Sequence, residues 1–326
     1  VAGVRLTVIN PTATAPYTGM LPGFVAGHYD RHELDIDLVR LARFADARLV
    51  LGAVTSLDRH AKTITVPGRP PVPYDICSIN VGITSSMPTL AGFAEHGLAA
   101  KPLDQFATAW ARFAQEHSAG APAIVVIGGG VGGCELALAM QHRLSGSGAT
   151  PSITIIDSGD ILADLGERSR SELRARLAAS SISVLEKTSV QRVTDHSVAI
   201  QGGTEIAADL VVGAAGARPY PWLADIGLKH HQGFIEIDSN LRSVSDPDIF
   251  AAGDCAHMGF APRPKAGVYA VRQAPVLFAN ISSALAGRKL ETYEPQDDYL
   301  KLISLGSKTA AADKFKRFLQ GKAMWR

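Results

Sequence analysis

Short runs of apolar residues alternate with helical segments along the chain, and this alternation predicts an α/β protein. The most regular stretch begins at residues 124–127, an unbroken β-branched run typical of a strand buried on both faces of a parallel sheet. An alanine-rich apolar segment at 136–140 predicts a helix, and a second strand is predicted at 153–156. A strand, a helix and a strand in this order predict a parallel βαβ unit.

The remaining pattern predicts further elements of both kinds. Helices are predicted at 103–117, 168–179 and 267–286, and the last is expected to be broken at Pro275. Further strands are predicted at 4–9, 48–51, 53–57, 63–66, 183–185, 189–193, 197–200, 209–216, 234–237 and 248–255. No solenoid repeat or low-complexity segment interrupts this order.

Three glycines lie between the first strand and the helix of the βαβ unit. Gly128, Gly130 and Gly133 have G-x-G-x-x-G spacing, which permits a tight turn, the approach of a diphosphate and close helix packing. Asp157 ends the second strand, at the distance expected of a carboxylate that binds ribose. A purely structural glycine cluster is the alternative, but the combination favours a dinucleotide site.

The first predicted strand ends at Asn10, where a nucleotide-binding unit usually carries an acid. A strand in such a unit normally follows another strand, a glycine turn and a helix. We therefore expect a βα unit of roughly 30 residues to be missing before it. The alternative is an ordinary edge strand.

Two segments each allow two interpretations. The loop at 11–27 carries Tyr17, Met20, Leu21 and Phe24 among prolines and glycines, and these residues either cover a flat aromatic ring or fill a core. Residues 306–326 carry six basic residues against Asp313, a net charge of +5, with aromatic residues interleaved. This pattern predicts a basic amphipathic helix, which lies either on an anionic membrane or on its own domain.

Composition limits the class of protein. The chain has 326 residues, 46% of them hydrophobic and 19% charged, which fits two globular domains. Its net charge of +1 implies no general attraction to nucleic acid. Cys77, Cys134 and Cys255 lack C-x-x-C spacing, so we expect no metal site and a reducing, cytoplasmic setting. Cys134 follows the glycine turn and Cys255 follows Asp254, and we expect both to be packed thiols.

Four segments resemble the FAD-dependent pyridine nucleotide-disulfide oxidoreductase superfamily. They read Y-D-I-C-S-I-N-V-G, I-G-G-G-V-G-G-C-E, V-V-G-A-A-G-A-R-P and I-F-A-A-G-D-C. Within it, P-Y-T-G-M-L-P-G and R-P-K-A-G-V-Y-A-V-R-Q resemble most closely the NADH-dehydrogenase-like flavoproteins associated with selenophosphate synthetase. The resemblance implies two Rossmann-like dinucleotide-binding domains of three-layer ββα architecture, with the first FAD-binding βα unit missing.

The resemblance also implies domain boundaries and site residues. An FAD-binding domain is expected at 1–100 and 226–290, an NAD(P)H-binding domain at 101–225, and a C-terminal segment at 291–326. The implied cofactor-binding residues are Thr18, Gly19, Met20, Leu21, Gly82, Gly128, Gly130, Gly133, Glu135, Asp157, Gly216, Gly253, Asp254, Lys265, Ala266 and Gly267. Glu135 near the nicotinamide and Lys265 near the flavin are the implied catalytic residues; the alternative for Lys265 is a solvated loop lysine.

The expected activity is an FAD-dependent NAD(P)H dehydrogenase without a redox-active disulfide. The carboxylate of Asp157 favours binding of NADH, whereas Arg168 and Arg170 downstream leave NADPH as an alternative cofactor. The expected acceptor is a quinone or else a selenium or sulfur compound. The expected protein partner is selenophosphate synthetase. Peripheral contact with the inner face of the membrane is expected through the basic tail. The alternative is a redox- or nucleotide-sensing scaffold flavoprotein.

Overall fold

A computed structural model describes residues 3–85, 87–314 and 317–325. The strands, in chain order, are β1 (Leu6–Asn10), β2 (Thr14–Pro16), β3 (Asp35–Asp37), β4 (Ala47–Leu51), β5 (Ser56–Asp58), β6 (Thr63–Thr65), β7 (Val72–Pro73), β8 (Cys77–Ile79), β9 (Thr84–Ser85), β10 (Gly97–Ala99), β11 (Ala123–Ile127), β12 (Ser152–Ile156), β13 (Ile182–Leu185), β14 (Val190–Val193), β15 (Ser197–Ile200), β16 (Glu205–Ala207), β17 (Leu210–Gly213), β18 (Ala217–Arg218), β19 (His230–His231), β20 (Phe234–Ile237), β21 (Ile249–Ala251), β22 (Ala256–Met258), β23 (Lys301–Ser304), β24 (Ala310–Lys314) and β25 (Arg317–Gly321).

The helices are α1 (Leu21–Val25), α2 (Arg31–Leu34), α3 (Leu38–Phe44), α4 (Phe93–His96), α5 (Leu103–Glu116), α6 (Val131–Ser147), α7 (Glu167–Ala179), α8 (Trp222–Asp225) and α9 (Gly267–Leu285). Single 3-10 turns lie at Thr18–Met20, Met87–Thr89, Gly253–Cys255 and Lys322–Met324. The chain divides into two compact units. Unit 1 comprises residues 1–15, 35–84 and 218–297, and unit 2 comprises residues 16–34, 85–217 and 298–326.

Unit 2 is built on a parallel five-stranded sheet with the order β10-β17-β11-β12-β13. Its central strand β11 is the β-branched run predicted from the sequence, and Ile124 pairs with Ile153 on one side and Leu210 on the other. Pairing on both edges and burial on both faces explain why this strand shows no polar alternation. The structure confirms the predicted βαβ unit.

The two faces of this sheet are covered differently. Ile124 and Val126 belong to a core shared with Trp110 of α5 and Met140 of α6. Val125 belongs to a second core on the other face, together with residues of the antiparallel sheet β14-β15-β16. Helices on one face and a small sheet on the other give unit 2 the predicted three-layer ββα architecture.

The C-terminal segment is a sheet, and the predicted amphipathic helix is wrong for its described residues. β23, β24 and β25 pair antiparallel, and Ile303, Leu305 and Phe318 enter the core on the helix side of unit 2. Strand alternation therefore separates buried from exposed residues here: Phe318 is 7% exposed, whereas Leu319 is 64% exposed. Phe315, Lys316 and Arg326, part of the same prediction, lie outside the described residues.

Unit 1 contains two short parallel pairs, β1 with β4 and β8 with β21. No described strand pairs with the other edge of β1 or of β8. The three-stranded sheets β5-β6-β7 and β19-β20-β22 complete the unit together with α3, α8 and α9. Asn10 ends β1 as predicted, and its side-chain amide donates to the Thr12 carbonyl over 2.8 Å.

Helix α9 runs without interruption through Pro275, so the predicted break is wrong. A proline removes one backbone donor and crowds the preceding turn, but the exposed Pro275 leaves room for that turn to adjust. The helix is fixed elsewhere: the Asn280 side chain donates to the carbonyls of Asn240 and Glu291 over 2.8 and 2.9 Å. These bonds tie the middle of α9 to two loops of unit 1.

The unit boundaries differ from the predicted domain boundaries. Residues 16–34 and 85–100, predicted with the first domain, lie in unit 2, as do residues 298–326 of the predicted C-terminal segment. Long-range contacts explain the difference, because β10 pairs with β17 and the Trp110 indole donates to the Val25 carbonyl over 3.1 Å. Such contacts leave no local signal in the sequence.

Candidate nucleotide-binding site

The glycine turn after β11 has the geometry that its spacing predicts. Gly128 has φ +114, and a Cβ there would lie 2.8 Å from the backbone nitrogen of Ala215. A Cβ on Gly133 would lie 1.9 Å from the Gly128 carbonyl oxygen, so only glycine lets α6 approach the strand end. Both glycines are therefore required for the turn itself.

Gly130 has a different role, because a Cβ there would meet nothing within 4 Å. It is the N-cap residue of α6, in extended conformation, and no side chain caps this helix. The first turn of α6 carries no acidic residue. Uncapped N–H groups and the positive end of a 17-residue helix therefore face open space, which is the arrangement that binds a diphosphate.

Asp157 follows β12 and is tied to the same turn. Its carboxylate accepts hydrogen bonds from Gly129 N over 2.6 Å and from Gly159 N over 2.7 Å. Each carboxylate oxygen retains further acceptor capacity. Asp157 is thus held at the edge of the turn, with lone pairs remaining for ribose hydroxyls.

The arginines near Asp157 are already engaged or point outward. The Arg170 guanidinium donates to the Ala163 carbonyl over 3.0 Å, so it braces its own loop. Arg168 is exposed on α7. Arg174, which the sequence analysis did not select, pairs with Glu186 at the end of β13. Arg170 and Arg174 are thus bonded to protein partners, whereas Arg168 is exposed to solvent.

Glu135 lies on the second turn of α6, and its Oε1 accepts a hydrogen bond from Ser304 N over 2.6 Å. Burial raises the pKa of this carboxyl to about 7, although the bond from Ser304 opposes the shift. The hydroxyl of Ser304 is buried beside it without a protein partner among the described residues. A carboxyl that titrates near neutrality can hold or release a proton under ordinary conditions.

Unit 1 has its own polar cleft, between the end of β21 and the start of α9. Gly253, Asp254, Lys265 and Ala266 line it, so four of the predicted flavin-binding residues come together. Ala266 is the N-cap of α9, which has no side-chain cap and no acid in its first turn. A Cβ on Gly267 would meet nothing within 4 Å, so there is space at the helix end.

Lys265 is partly buried and is not the solvated loop lysine of the alternative interpretation. Its Nζ donates to the Ala256 carbonyl over 2.5 Å and lies 4.0 Å from the centre of the Phe234 ring. Burial lowers the pKa of this amine, and Asp254 opposes the shift. The cleft therefore places an amine of lowered pKa near the Asp254 carboxylate.

The predicted flavin loop belongs to the other unit. Thr18 and Gly19 are exposed and Met20 is partly exposed, whereas Leu21 is 7% exposed and lies in the core of unit 2. The loop was expected either to cover an aromatic ring or to fill a core, and Leu21 fills a core. Gly82 and Gly216, predicted as cofactor-binding, both have positive φ, at +70 and +73, which suits glycine after a strand.

The described residues form neither a metal-binding cluster nor a membrane-spanning helix. No group of three or more histidine, cysteine or acidic side chains is arranged to hold a metal ion there. No described helix is both long and apolar enough to cross a membrane.

Residues 2–274 match the family model for the pyridine nucleotide-disulphide oxidoreductases. The chain belongs to this family. Proteins of the pyridine nucleotide-disulphide oxidoreductase family use FAD and NAD(P)H. The match covers both the glycine turn of unit 2 and the Asp254 cleft of unit 1.

Curated relatives include proteins from two bacteria. The NADH dehydrogenase-like protein Rv1812c of Mycobacterium tuberculosis is 28% identical over 223 residues, covering 64% of this chain and 54% of the relative. The demethylphylloquinone reductase NdbB of Synechocystis is 30% identical over 252 residues, covering 74% of this chain and 62% of the relative. The aligned part of the chain thus spans between half and two thirds of these relatives.

The fold also matches solved structures. NDH2 of Plasmodium falciparum, solved in complex with NADH, superposes with a TM-score of 0.82 at 15% identity. The superposition covers 98% of this chain and 88% of that one. At this identity the match shows a shared fold.

The cysteines of this family member are not arranged for disulphide chemistry. Cys77, Cys134 and Cys255 are all buried and unpaired. Burial raises the pKa of Cys77 and Cys134 to about 12 and that of Cys255 to about 11, so the nucleophilic thiolate is suppressed. The prediction that Cys134 and Cys255 are packed thiols is confirmed, and Cys77 is buried as well.

Sequence reasoning missed three residues that shape the site. Glu186 and Arg174 brace the loop after β12, and Ser304 contacts Glu135 from a strand 169 positions away. Glu186 follows a predicted strand next to the one that ends at Asp157, and that position could have suggested it. Ser304 lay in no element that the sequence predicted.

Proposed function

We propose that the protein is an FAD-dependent NAD(P)H dehydrogenase that favours NADH and passes its reducing equivalents to a quinone. The proposal covers the whole protein, although the aligned part of the chain spans only 54% and 62% of the two relatives compared. One observation carries it: the glycine turn, the uncapped start of α6 and the carboxylate of Asp157 converge at one end of a parallel sheet.

The nucleotide half follows from that convergence. The N–H groups at the start of α6 would bind the diphosphate, with Gly130 leaving room for it. Asp157 would accept hydrogen bonds from the adenosine ribose hydroxyls and repel a 2′-phosphate, which favours NADH over NADPH.

The flavin half rests on the cleft of unit 1, whose donor set fits part of an FAD molecule. The Asp254 carboxylate suits a ribityl hydroxyl, and the uncapped start of α9 suits an electron-rich ring edge. Sequence positions 1–326 contain a single G-x-G-x-x-G, and this motif lies in unit 2. Bound FAD would supply the two-electron chemistry between nicotinamide and acceptor.

The charges of the chain's own residues suit this reaction. Reduction of a quinone by NADH consumes one hydride and one proton and yields quinol and NAD⁺. Glu135, with its pKa raised to about 7 by burial, can hold or release a proton near the nucleotide turn. The ammonium group of Lys265 would stabilise negative charge that develops in the unit 1 cleft.

The acceptor class is the finer part of the proposal. The Synechocystis relative is named as a quinone reductase, which supports a quinone. A selenium or sulfur compound is the competing acceptor, and assays with quinone, polysulfide and selenite under NADH saturation separate the two. Faster turnover with a polar selenium or sulfur acceptor than with every quinone would overturn the quinone assignment.

The place of reaction is proposed as the cytoplasm, with peripheral membrane contact through the C-terminal sheet. Leu302 and Leu319 are exposed on that sheet, at 56% and 64%, and the basic residue Lys322, which follows β25, is also exposed. A Leu302→Ser, Leu319→Ser double variant that binds anionic vesicles as well as the parent would contradict this contact.

Gly130→Val tests the proposed function most economically. The position has extended backbone geometry and no neighbour within 4 Å, so valine can be accommodated without disturbing the fold. The valine side chain would fill the space for the diphosphate. We expect NADH affinity to fall by about a hundredfold, which corresponds to the loss of a few polar contacts. Isothermal titration with NAD⁺ measures this directly.

Gly146→Ala is the matched control on the same helix, because its Cβ also meets nothing within 4 Å. It should leave NAD⁺ affinity unchanged and stabilise α6 by about 0.5–1 kcal/mol. Unchanged affinity in the Gly130→Val variant would exclude the glycine turn as the nucleotide site.

A further inference from the structure

The loop after β12 is fastened to the glycine turn at three points. Asp157 accepts from Gly129 N over 2.6 Å, and Leu162 N donates to the Gly129 carbonyl over 2.8 Å. The Ile161 side chain occupies the space next to Gly129, since a Cβ there would lie 2.1 Å from Ile161 Cγ2. The position of the turn is therefore set by the position of this loop.

Glu186 holds the same loop from its other side. Its Oε1 accepts a hydrogen bond from Ile161 N over 2.7 Å. Backbone bonds run alongside, from Lys187 N to the Gly159 carbonyl and from Thr188 N to the Asp157 carbonyl, over 3.0 and 2.9 Å. The Glu186 bond uses a side chain, so a substitution can remove it. An exposed ion pair, Lys187 Nζ to Asp160 Oδ1 at 3.4 Å, joins the same two segments.

Arg174 fixes Glu186 in place. Its guanidinium makes a two-pronged bond to the carboxylate, with Nη1 2.9 Å from Oε2 and Nη2 bonded to Oε1. The side chains are 37% and 24% exposed, so the pair is partly shielded from solvent. The arginine lowers the pKa of Glu186, which keeps the carboxylate ionised.

We propose that Arg174 and Glu186 are a positioning pair that fixes the adenosine end of the nucleotide site, acting through Ile161 and the backbone of Gly129. This inference rests on the proposed function, because it assigns residues to the NADH site described there. Neither side chain needs to touch the nucleotide. Their role is to hold the loop that carries Asp157 in a fixed position relative to the glycine turn.

The pair should affect binding more than chemistry. A shift of the loop moves the ribose acceptor and the diphosphate turn together, whereas the reacting nicotinamide ring is bound elsewhere. Loss of the pair should therefore raise KM for NADH while kcat stays nearly constant. Reduced nicotinamide mononucleotide lacks the adenosine half, so its KM and kcat should not change when the pair is lost.

Glu186→Gln tests the proposal in the full-length holoprotein. The amide oxygen can keep the bonds made at Oε1, but the amide nitrogen then replaces Oε2 and faces Arg174 Nη1. That second bond of the pair and the negative charge are lost. We expect about tenfold weaker binding of NAD⁺ and ADP-ribose by calorimetry. KM for NADH should rise by about the same factor, with kcat and turnover of reduced nicotinamide mononucleotide within about twofold of the parent.

Glu205→Gln is the control, since Glu205 also pairs with an arginine in unit 2 but at 3.6 Å and away from the turn. It should leave every nucleotide affinity unchanged. Parent-like NAD⁺ binding in Glu186→Gln would overturn the proposal, as would an equal loss with reduced nicotinamide mononucleotide. A parent protein that binds neither NAD⁺ nor ADP-ribose would overturn the proposed function itself, and this inference with it.

Discussion

At the scale of the residue, Glu135 is the group whose state depends most on pH near neutrality. Burial raises its pKa to about 7 from an ordinary 4.5. A carboxyl with a raised folded-state pKa contributes stability that is complete below about pH 4.5 and is lost as the pH rises through 7. The ionised carboxylate is therefore the less stable form in the folded protein. It becomes populated near pH 7, where the proposed proton transfer takes place.

Glu135→Gln mimics the protonated carboxyl and should remove this dependence. Relative to the parent, the variant should gain up to about 3 kcal/mol of unfolding free energy between pH 5 and pH 8. Urea unfolding at both pH values measures the difference, and the exposed Glu205→Gln is the control. If the parent and Glu135→Gln respond to pH in parallel, the carboxyl is not buried as described.

The residues of the nucleotide turn could be predicted because local chemistry fixes them. Gly128 and Gly133 are required by backbone geometry alone, and Asp157 follows from strand length. Glu186 and Ser304 could not be selected in the same way, because their roles depend on contacts made in three dimensions. Sequence reasoning finds residues that a local conformation demands and misses those that support it from elsewhere.

At the scale of the element, the C-terminal sheet shows where the periodicity argument fails. β24 reads Ala310, Ala311 and Ala312 in succession, and all three are buried. Small residues on both faces remove the alternation of apolar and polar residues that marks a strand. The prediction of a helix therefore rested on the spacing of the basic residues. β11, in contrast, carries β-branched residues at four of its five positions and was predicted correctly.

Neighbouring residues of β25 test the sheet directly. Phe318 lies in the core at 7% exposure, and Phe318→Ala should destabilise the protein by about 3 kcal/mol through the cavity it leaves. Leu319 is 64% exposed, and Leu319→Ala should change the unfolding free energy by less than about 0.5 kcal/mol. Equal effects in urea unfolding would contradict the assignment of faces.

At the scale of the whole molecule, element order could be predicted but the grouping of elements could not. Residues 16–34 and 298–326 join unit 2 through side chains that meet across long stretches of sequence. The resemblance of four motifs predicted the family correctly, because those motifs mark strand ends in both units.

The central claim is that the protein carries FAD and reduces it with NADH. An anaerobic absorbance titration of the purified full-length protein with NADH tests this claim most directly. We predict flavin bands that bleach with about one equivalent of NADH, because the flavin accepts one hydride. A colourless protein that cannot be reconstituted with FAD, or flavin bands that NADH leaves unchanged, would contradict the dehydrogenase function.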